Sequence, residues 1–180
     1  MVKPWFIAVE RFGPESEESW NNYIKWSGLT QLKEVISLDG ILCPAIIKEL
    51  SSDDWLHNAK EDNEFFFFQD LEYLLKRVAN YSNINILAVI KNPCEDCKNL
   101  YEDEHFEFIG YDLRELHGNI SALTNCGGFE KAFKNEELSK EGIIPSFRRV
   151  QDVQKLLREF YPEEHHANCD IWAIWKMKEP

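Results

Sequence analysis

The stretch from Phe106 to Phe129, FEFIGYDLRELHGNISALTNCGGF, constrains the fold more than any other part of the chain. Its apolar spacing predicts one strand running to Tyr111 and a second strand over Ile120 to Thr124, with turn residues at 117–119 between them. Asn125-Cys126-Gly127-Gly128 then forms a tight loop, because two glycines permit positive φ and a close backbone approach. The sequence therefore predicts a hairpin-like pair, a loop suited to a binding or reactive group, and a helix starting just after it.

A strand, a helix and a second strand are predicted in the middle of the chain. Phe65 to Phe68 is a short apolar strand, and Asp70 is the expected N-cap of a helix with one apolar face, formed by Leu71, Leu74, Leu75 and Val78. Ile84 to Ile90 is almost continuously apolar, which is typical of a central strand covered on both faces. This order is compatible with a right-handed βαβ crossover.

The remaining elements complete a single domain that spans residues 1–180. Lys3 to Phe12 is predicted as a strand, followed by a helix that ends at Gly28. The segment 32–47 predicts two short strands, and Ser146 is the expected N-cap of the last helix. The tail from Asn168 to Met177 is apolar on both faces and is therefore expected inside the sheet. The predicted class is α+β, with a mixed sheet of about six strands and three or four helices.

Charge and composition exclude several classes of partner. Thirty-two acidic and twenty basic residues give a net charge of −12, which repels nucleic-acid phosphates and anionic membranes and favours a basic or neutral protein partner. No apolar run reaches the roughly 18 residues that span a bilayer. The apolar start of the chain meets charge at Glu10 and Arg11, so it is predicted to be a strand and not a signal peptide. Five cysteines, an odd number, favour a reducing compartment, and we expect a cytoplasmic location.

A CxxC motif, Cys94 to Cys97, follows the predicted central strand. A redox pair is disfavoured because the next residues form a poor helix and two acidic residues separate the thiols, which raises the thiol pKa. A structural zinc site would need two further ligands. Cys169 with His165 or His166 supplies them if the last strand lies beside the strand at 84–90. The alternative interpretation is two free thiols in an acidic surface loop.

Cys126 is the candidate nucleophile of the chain. It precedes two glycines near a predicted helix start, where backbone N–H groups would lower the pKa of its thiol and form an oxyanion hole. A cysteine hydrolase also needs a histidine base, and no spacing selects one among His105, His117, His165 and His166. The alternative interpretation is a small buried cysteine that packs under the turn.

Aromatic residues and the missing catalytic motifs favour a binding function. The chain has no G-x-G-x-x-G after a strand, no P-loop, no G-x-S-x-G and no H-E-x-x-H. Six Trp, twelve Phe and six Tyr exceed what a core of this size requires, and Trp and Tyr are enriched where proteins hold partners. The predicted partner surface contains Trp55, in an expected exposed loop over 51–63, and the acidic run Glu102, Asp103 and Glu104.

Three segments, IGYDLRE, ISALTNCGGF and YPEEHHANCDIWAIWK, resemble a set of uncharacterised bacterial cytosolic proteins that share GYDL, SALTNCGGF and HA-x-C-x-IWAIW patterns. The resemblance covers about the C-terminal half and implies no activity and no functional residues. In size, acidity and aromatic content the chain also resembles small α+β immunity proteins that neutralise bacterial toxins, without a shared motif. The prediction is a non-enzymatic protein-binding module for a basic protein partner, with an immunity-like protein as one form of it. The alternative is a zinc-bearing or cysteine-dependent enzyme centred on Cys126 with the Cys94/Cys97 pair.

Overall fold

The computed structural model describes residues 3–46, 58–99, 101 and 103–178, and these residues form one six-stranded sheet with three α-helices. The strands are β1 Trp5–Glu10, β2 Ala59–Asp62, β3 Phe65–Phe68, β4 Ile84–Lys91, β5 Phe106–Glu115 and β6 Cys169–Met177. The helices are α1 Glu17–Ser27, α2 Leu71–Arg77 and α3 Phe147–Phe160, with short 3₁₀ helices at Pro14–Ser16, Asn135–Glu137 and His165–Ala167. The strand order is β2-β3-β1-β4-β6-β5.

The α+β class and the six strands are confirmed, and every hydrogen-bonded pair of strands is antiparallel where a mixed sheet was expected. The reason is the position of β1. Strands β3 and β4 run in the same direction and are joined through α2, but β1 lies between them and pairs with both. The predicted β3-α2-β4 unit is thus split by the N-terminal strand, which pairs with β4 from Trp5 opposite Val89 to Glu10 opposite Ile84.

Local signals place the helix ends as expected. The Asp70 side chain accepts a hydrogen bond from the Tyr73 N–H at 3.1 Å, and the Ser146 side chain accepts one from the Arg149 N–H at 3.3 Å, so both are N-caps. Gly28 ends α1 in the left-handed conformation with φ of 69° and donates its N–H to the Ile24 carbonyl. Strand β6 lies between β4 and β5, which confirms that the tail is internal to the sheet.

Three predicted strands are replaced by irregular structure. Residues 32–46 form turns with isolated bridges to Phe12 and Val9, because the Asp39 side chain accepts hydrogen bonds from the Ile41 and Leu42 N–H groups and holds a compact turn. The predicted strand at 120–124 is reduced to one bridge with β5, between Ser121 and Arg114, before the chain turns away. The helix expected after Gly128 is likewise a turn.

The sheet curls so that its two edges approach each other. Asp62 at the end of β2 contacts Arg114 on β5, although these strands stand at opposite edges. In the adjoining turns, the Asn63 side chain donates to the Leu116 carbonyl at 3.0 Å, and the Asn119 side chain donates to Glu64 at 2.9 Å. The face that carries Asp62 and Arg114 is therefore concave.

The opposite, convex face carries α2 and α3. The ring of Phe147 on α3 lies 5.4 Å from that of Tyr111 on β5, and the ring of Tyr73 on α2 lies 5.9 Å from that of Phe68 on β3. Buried side chains of α2 and α3, which include Leu74 and Val153, complete the packing on this face. None of the helices that the structure describes is long and apolar enough to cross a membrane.

Candidate functional site

The Cys126 loop, residues 125–129, is anchored by a buried carboxylate. Asp39 is fully buried and accepts four hydrogen bonds through its side chain, from the N–H groups of Ile41, Leu42 and Ser121 at 2.8–2.9 Å and from the Asn125 side-chain amide at 3.2 Å. Because these donors come from two distant parts of the chain, Asp39 ties the turn at 39–42 to the start of the Cys126 loop.

A second buried carboxylate supports the same region. Asp112 on β5 accepts hydrogen bonds from the Leu38 N–H at 3.0 Å, the Leu113 N–H at 2.8 Å and the Ser121 hydroxyl at 2.6 Å. Burial raises the pKa of Asp112 to about 6, and the charge of Asp39 adds to this rise while the three hydrogen bonds oppose it. The two carboxylates together hold the irregular segments near 38 and 121 against the sheet.

Helix α1 is fixed against the same loop and presents a tryptophan beside it. The Tyr23 hydroxyl donates a 2.8 Å hydrogen bond to the Thr124 carbonyl just before the loop. Trp20 is buried, whereas Trp26 is 60% exposed. Residues six apart on a helix point about 120° away from each other, so only one of the two tryptophans can face the core. That spacing is the sequence signal for an exposed Trp26.

Two depressions flank the Cys126 loop. One, of about 530 Å³, extends toward Leu29 and Asn135, and the other, of about 370 Å³, extends toward Tyr161 and His166. Both are lined by Trp26 and by residues 126–129 of the loop. Trp26 and the loop therefore form a continuous surface, which we call the Trp26 surface.

The two glycines of the loop differ in what they require. Gly128 has φ of +87°, a conformation that favours glycine. Gly127 has no such φ, and no atom lies within 4 Å of the position that a Cβ would occupy. Packing among the described residues therefore does not account for glycine at 127. The backbone there is open to close approach by another molecule.

The surroundings of Cys126 raise the pKa of its thiol instead of lowering it. The residue is half-buried, and burial raises this pKa to about 12, with further increases from the charges of Glu115, Asp39 and Glu164. The helix start that was expected to activate the thiol is absent from residues 126–132, which form a loop and a turn. At neutral pH the Cys126 thiol is therefore protonated.

His166 is the histidine that the fold brings to Cys126. It lines the 370 Å³ depression together with Cys126, and its Nδ1 atom contacts the Glu115 carboxylate. Neither His105, His117 nor His165 lines that depression. Within the described residues no hydrogen bond joins the Cys126 thiol to His166, so the base required for a thiolate nucleophile is near but not engaged.

The four predicted zinc ligands lie apart. Cys94 is exposed, and Cys97 is buried with its N–H donating to the Tyr111 hydroxyl at 2.9 Å. Tyr111 pairs with Ala173, four residues along β6 from Cys169, which is about 13 Å at strand spacing. Strand β6 does lie beside β4, as the zinc prediction required.

Local contacts also turn these thiols away from a shared site. The Cys169 thiol donates to the His166 carbonyl at 2.9 Å, and burial raises the pKa of both Cys169 and Cys97, the latter to about 11. His165 lines a separate depression with His117. Among the residues that the structure describes, no three Cys, His, Asp or Glu side chains are grouped to hold a metal ion, so Cys94, Cys97, Cys169 and His165 do not converge.

The predicted partner-binding residues are only partly described. Trp55 and Glu102 lie outside the described residues. Asp103 accepts hydrogen bonds from the Tyr101 hydroxyl at 3.1 Å and from the His105 N–H at 2.8 Å, so it holds the turn before β5. Glu104 is exposed beside His105. Both acids line a shallow depression of about 360 Å³ with an aromatic floor that includes Phe108.

Comparison with known proteins gives no match. No family model fits the sequence, and neither a curated protein nor a solved structure is significantly similar to the chain. The resemblance of the three C-terminal segments to bacterial cytosolic proteins therefore stays a prediction, and the functional argument depends on the geometry of the chain itself.

Proposed function

We propose that this chain is a non-enzymatic protein-binding module that receives a basic segment of a partner protein on the Trp26 surface. The observation that carries the proposal is the exposed Trp26 beside a Gly127-Gly128 backbone that no side chain covers, with a depression on either side. A partly exposed tryptophan next to concave surface supplies a large apolar anchor of the kind that dominates protein–protein binding energy.

The charge around the Trp26 surface supports a basic partner. Glu130 and Glu136 line the larger depression with Lys134, and Glu164 lines the smaller one with His166. Carboxylates therefore outnumber the lysine, in a chain whose net charge is −12. A surface of this sign speeds encounter with a basic protein, while the aromatic anchor prolongs the complex.

An immunity-like role, with a positively charged toxin as the partner, is the form of the proposal that the chain's size, acidity and α+β class favour by analogy. The predicted surface around Trp55, Glu102, Asp103 and Glu104 remains a second proposed contact region. We further propose a cytoplasmic location, which the five free cysteines support.

The Trp26→Ala variant is expected to lose partner binding. A protein captured by the chain from its native host should bind this variant at least about tenfold more weakly, because truncation of a central aromatic anchor typically costs 2 kcal/mol or more. Ile41→Ala is the matched control, since Ile41 is 64% exposed and lines neither depression. Titration calorimetry with the purified partner measures both affinities. Equal affinities of the two variants would contradict the proposed surface.

A cysteine-dependent enzyme is the second candidate, and one observation favours it. The three groups of a cysteine-dependent site lie near one another: the thiol of Cys126, the imidazole of His166 as a base, and the carboxylate of Glu115, which would orient that base. The raised pKa of the Cys126 thiol and its missing hydrogen bond weigh against this reading, because the thiolate is the nucleophile in such enzymes.

Alkylation at neutral pH separates the two candidates. A thiol pKa of about 12 instead of the ordinary 9 lowers the thiolate fraction about 1000-fold, so we expect iodoacetamide to label the exposed Cys94 well before Cys126. Mass spectrometry of peptides locates the label, and Cys126→Ser confirms the assignment. Labelling of Cys126 ahead of Cys94, with a rate that falls in His166→Ala, would favour the enzyme.

A further inference from the structure

A depression of about 320 Å³ opens at one end of the concave face of the sheet. Its walls are formed by residues that pair across neighbouring strands. Lys60 of β2 is opposite Phe67 of β3, and Lys91 of β4 is opposite Trp172 of β6. Trp5 of β1 and Lys3, two residues before it, line the same depression. We call this depression the sheet mouth. It shares no lining residue with the Trp26 surface.

We propose that the sheet mouth binds a small organic anion that carries an aromatic ring. The ring packs against the aromatic wall of Trp5, Phe67 and Trp172, and the acidic group is held by the ammonium groups of Lys3 and Lys60. This site is separate from the protein-binding surface proposed above and does not depend on it.

The aromatic wall is already arranged for a flat group. The rings of Phe67 and Trp172 are stacked with centroids 5.2 Å apart and planes 17° from parallel. The Lys60 ammonium lies 5.7 Å from the centre of the Trp5 ring, and the Lys91 ammonium lies 5.3 Å from that of Trp172. Each ammonium group thus lies over an aromatic ring. A ligand that contacts these rings with its own ring can therefore place its acidic group next to an ammonium group.

The local charge has the opposite sign to the chain as a whole. Asp62 and Asp170 neutralise Lys91, with oxygen to nitrogen distances of 2.6 Å and 3.0 Å, and Asp62 also contacts Arg114. Lys3 and Lys60 form no ion pair with any residue in the described ranges. Three lysines and one aspartate, Asp62, line the depression itself, in a chain of net charge −12. The excess positive charge at the sheet mouth favours an anion.

Buried donors beneath the sheet mouth lack acceptors. The Arg114 side chain is 1% exposed and lies 4.8 Å from the centre of the Trp172 ring. Its Nε and Nη1 atoms, and the Nε1 atom of Trp172, have no hydrogen-bond partner among the described residues. The Arg114 guanidinium lies over the rings of Phe65 and Trp172, whereas the Trp172 Nε1 atom, whose ring lines the depression, has no acceptor in the described part of the chain, although buried polar groups are nearly always paired.

The dimensions and the place of the sheet mouth agree with a small ligand. A volume of about 320 Å³ accommodates one bicyclic aromatic ring system with a short side chain that carries an acidic group. Ligands commonly bind at the mouth of a curled or closed sheet, where apolar walls meet a few polar groups. The contact between Asp62 and Arg114 across the sheet edges keeps the concave face in this shape.

Two probes that share a ring, one with a carboxylate and one without charge, test the proposal. Indole-3-acetate has a ring and a carboxylate, whereas indole-3-ethanol has the same ring without the charge. We expect the full chain to bind indole-3-acetate at least about tenfold more tightly in calorimetry at low salt, because hydrogen bonds to a charged group are the stronger ones. Added salt should reduce this difference.

Matched variants show whether the probe occupies the sheet mouth. Lys60→Gln should bind indole-3-acetate about tenfold more weakly, and Trp5→Leu should weaken binding similarly through the lost ring contact. Lys155→Gln is the control. Lys155 is exposed on α3, so its substitution removes the same charge far from the sheet mouth. Circular dichroism checks that each variant is folded. Three outcomes would overturn the proposal: no binding at millimolar concentration, equal affinity for both probes, or equal weakening in Lys60→Gln and Lys155→Gln.

Discussion

The Asp39→Ala variant is expected to lower the free energy of unfolding by about 4 kcal/mol, because it leaves buried donors without an acceptor at 1–3 kcal/mol each. Asp39 is fully buried and accepts four side-chain hydrogen bonds, three of them from backbone N–H groups of Ile41, Leu42 and Ser121. Those N–H groups cannot all find new partners, since the turn and the loop that carry them are held together by this carboxylate, by its neighbour Asp112 and by the hydrogen bond from the Gly40 N–H to the Asn119 carbonyl.

Urea denaturation measures the effect, with Asp152→Ala as the control because Asp152 is exposed on α3. The control should change stability by no more than about 0.5 kcal/mol. Hydrogen exchange should also become faster at residues 125–128 in Asp39→Ala, since Asn125 loses its anchor. If Asp39→Ala lowers the free energy of unfolding by less than about 1 kcal/mol, Asp39 is not the anchor of the Cys126 loop.

The Asp62→Ala variant is expected to cost about 3–5 kcal/mol, because it leaves Arg114 buried and uncompensated. The Arg114 side chain is 1% exposed and that of Asp62 is 13% exposed, so water screens their contact poorly. Asp62 also holds Lys91 at 2.6 Å, which adds to the loss. The pair also joins β2 to β5, so its removal takes away one of the contacts that bring the two sheet edges together, while those of Asn63 with Leu116 and of Asn119 with Glu64 remain.

A double-mutant cycle tests this pair. Arg114→Met combined with Asp62→Ala should recover most of the loss, because a flexible apolar side chain replaces the unpaired charge between Phe65 and Trp172. Glu72→Ala is the matched control, since Glu72 pairs with Lys76 at 2.8 Å on the exposed face of α2. That exposed pair should contribute less than about 1 kcal/mol. If Asp62→Ala and Glu72→Ala lower the free energy of unfolding equally, the contact between Asp62 and Arg114 does not stabilise the fold more than an exposed ion pair.

Short-range patterns were sufficient for the regular elements of this fold. The apolar run at 84–90 and the doubly apolar tail at 168–177 became two of the inner strands, β4 and β6, because a strand that is apolar on both faces must be covered on both. Asp70 and Ser146 were recognised as N-caps, since their hydrogen bonds reach only three residues ahead. In each case the interacting groups are close in sequence, so local order decided the structure.

The same reasoning was wrong where the partner of a residue is remote. Asp39-Gly40 indicated a hairpin turn, but Asp39 is instead an acceptor for Ser121 and Asn125, more than eighty residues away. Cys126 was expected near an activating helix start, but burial raises the pKa of its thiol, and the charges of Glu115 and of the remote Asp39 add to this rise. The Cys94/Cys97 pair and Cys169 were candidate ligands of one zinc site, but strand register separates Cys169 from the region of Cys97.

The sequence by itself determined the class of the fold, the inner strands, the helix caps and the acidic character of the chain, because these depend on composition and on contacts within a few residues. The tertiary structure alone decided the curl that joins Asp62 to Arg114, the open backbone beside Trp26 and the positive sheet mouth in an acidic chain. Each of these requires residues from distant strands to meet, and pairing register is a property of the whole sheet that no short segment encodes.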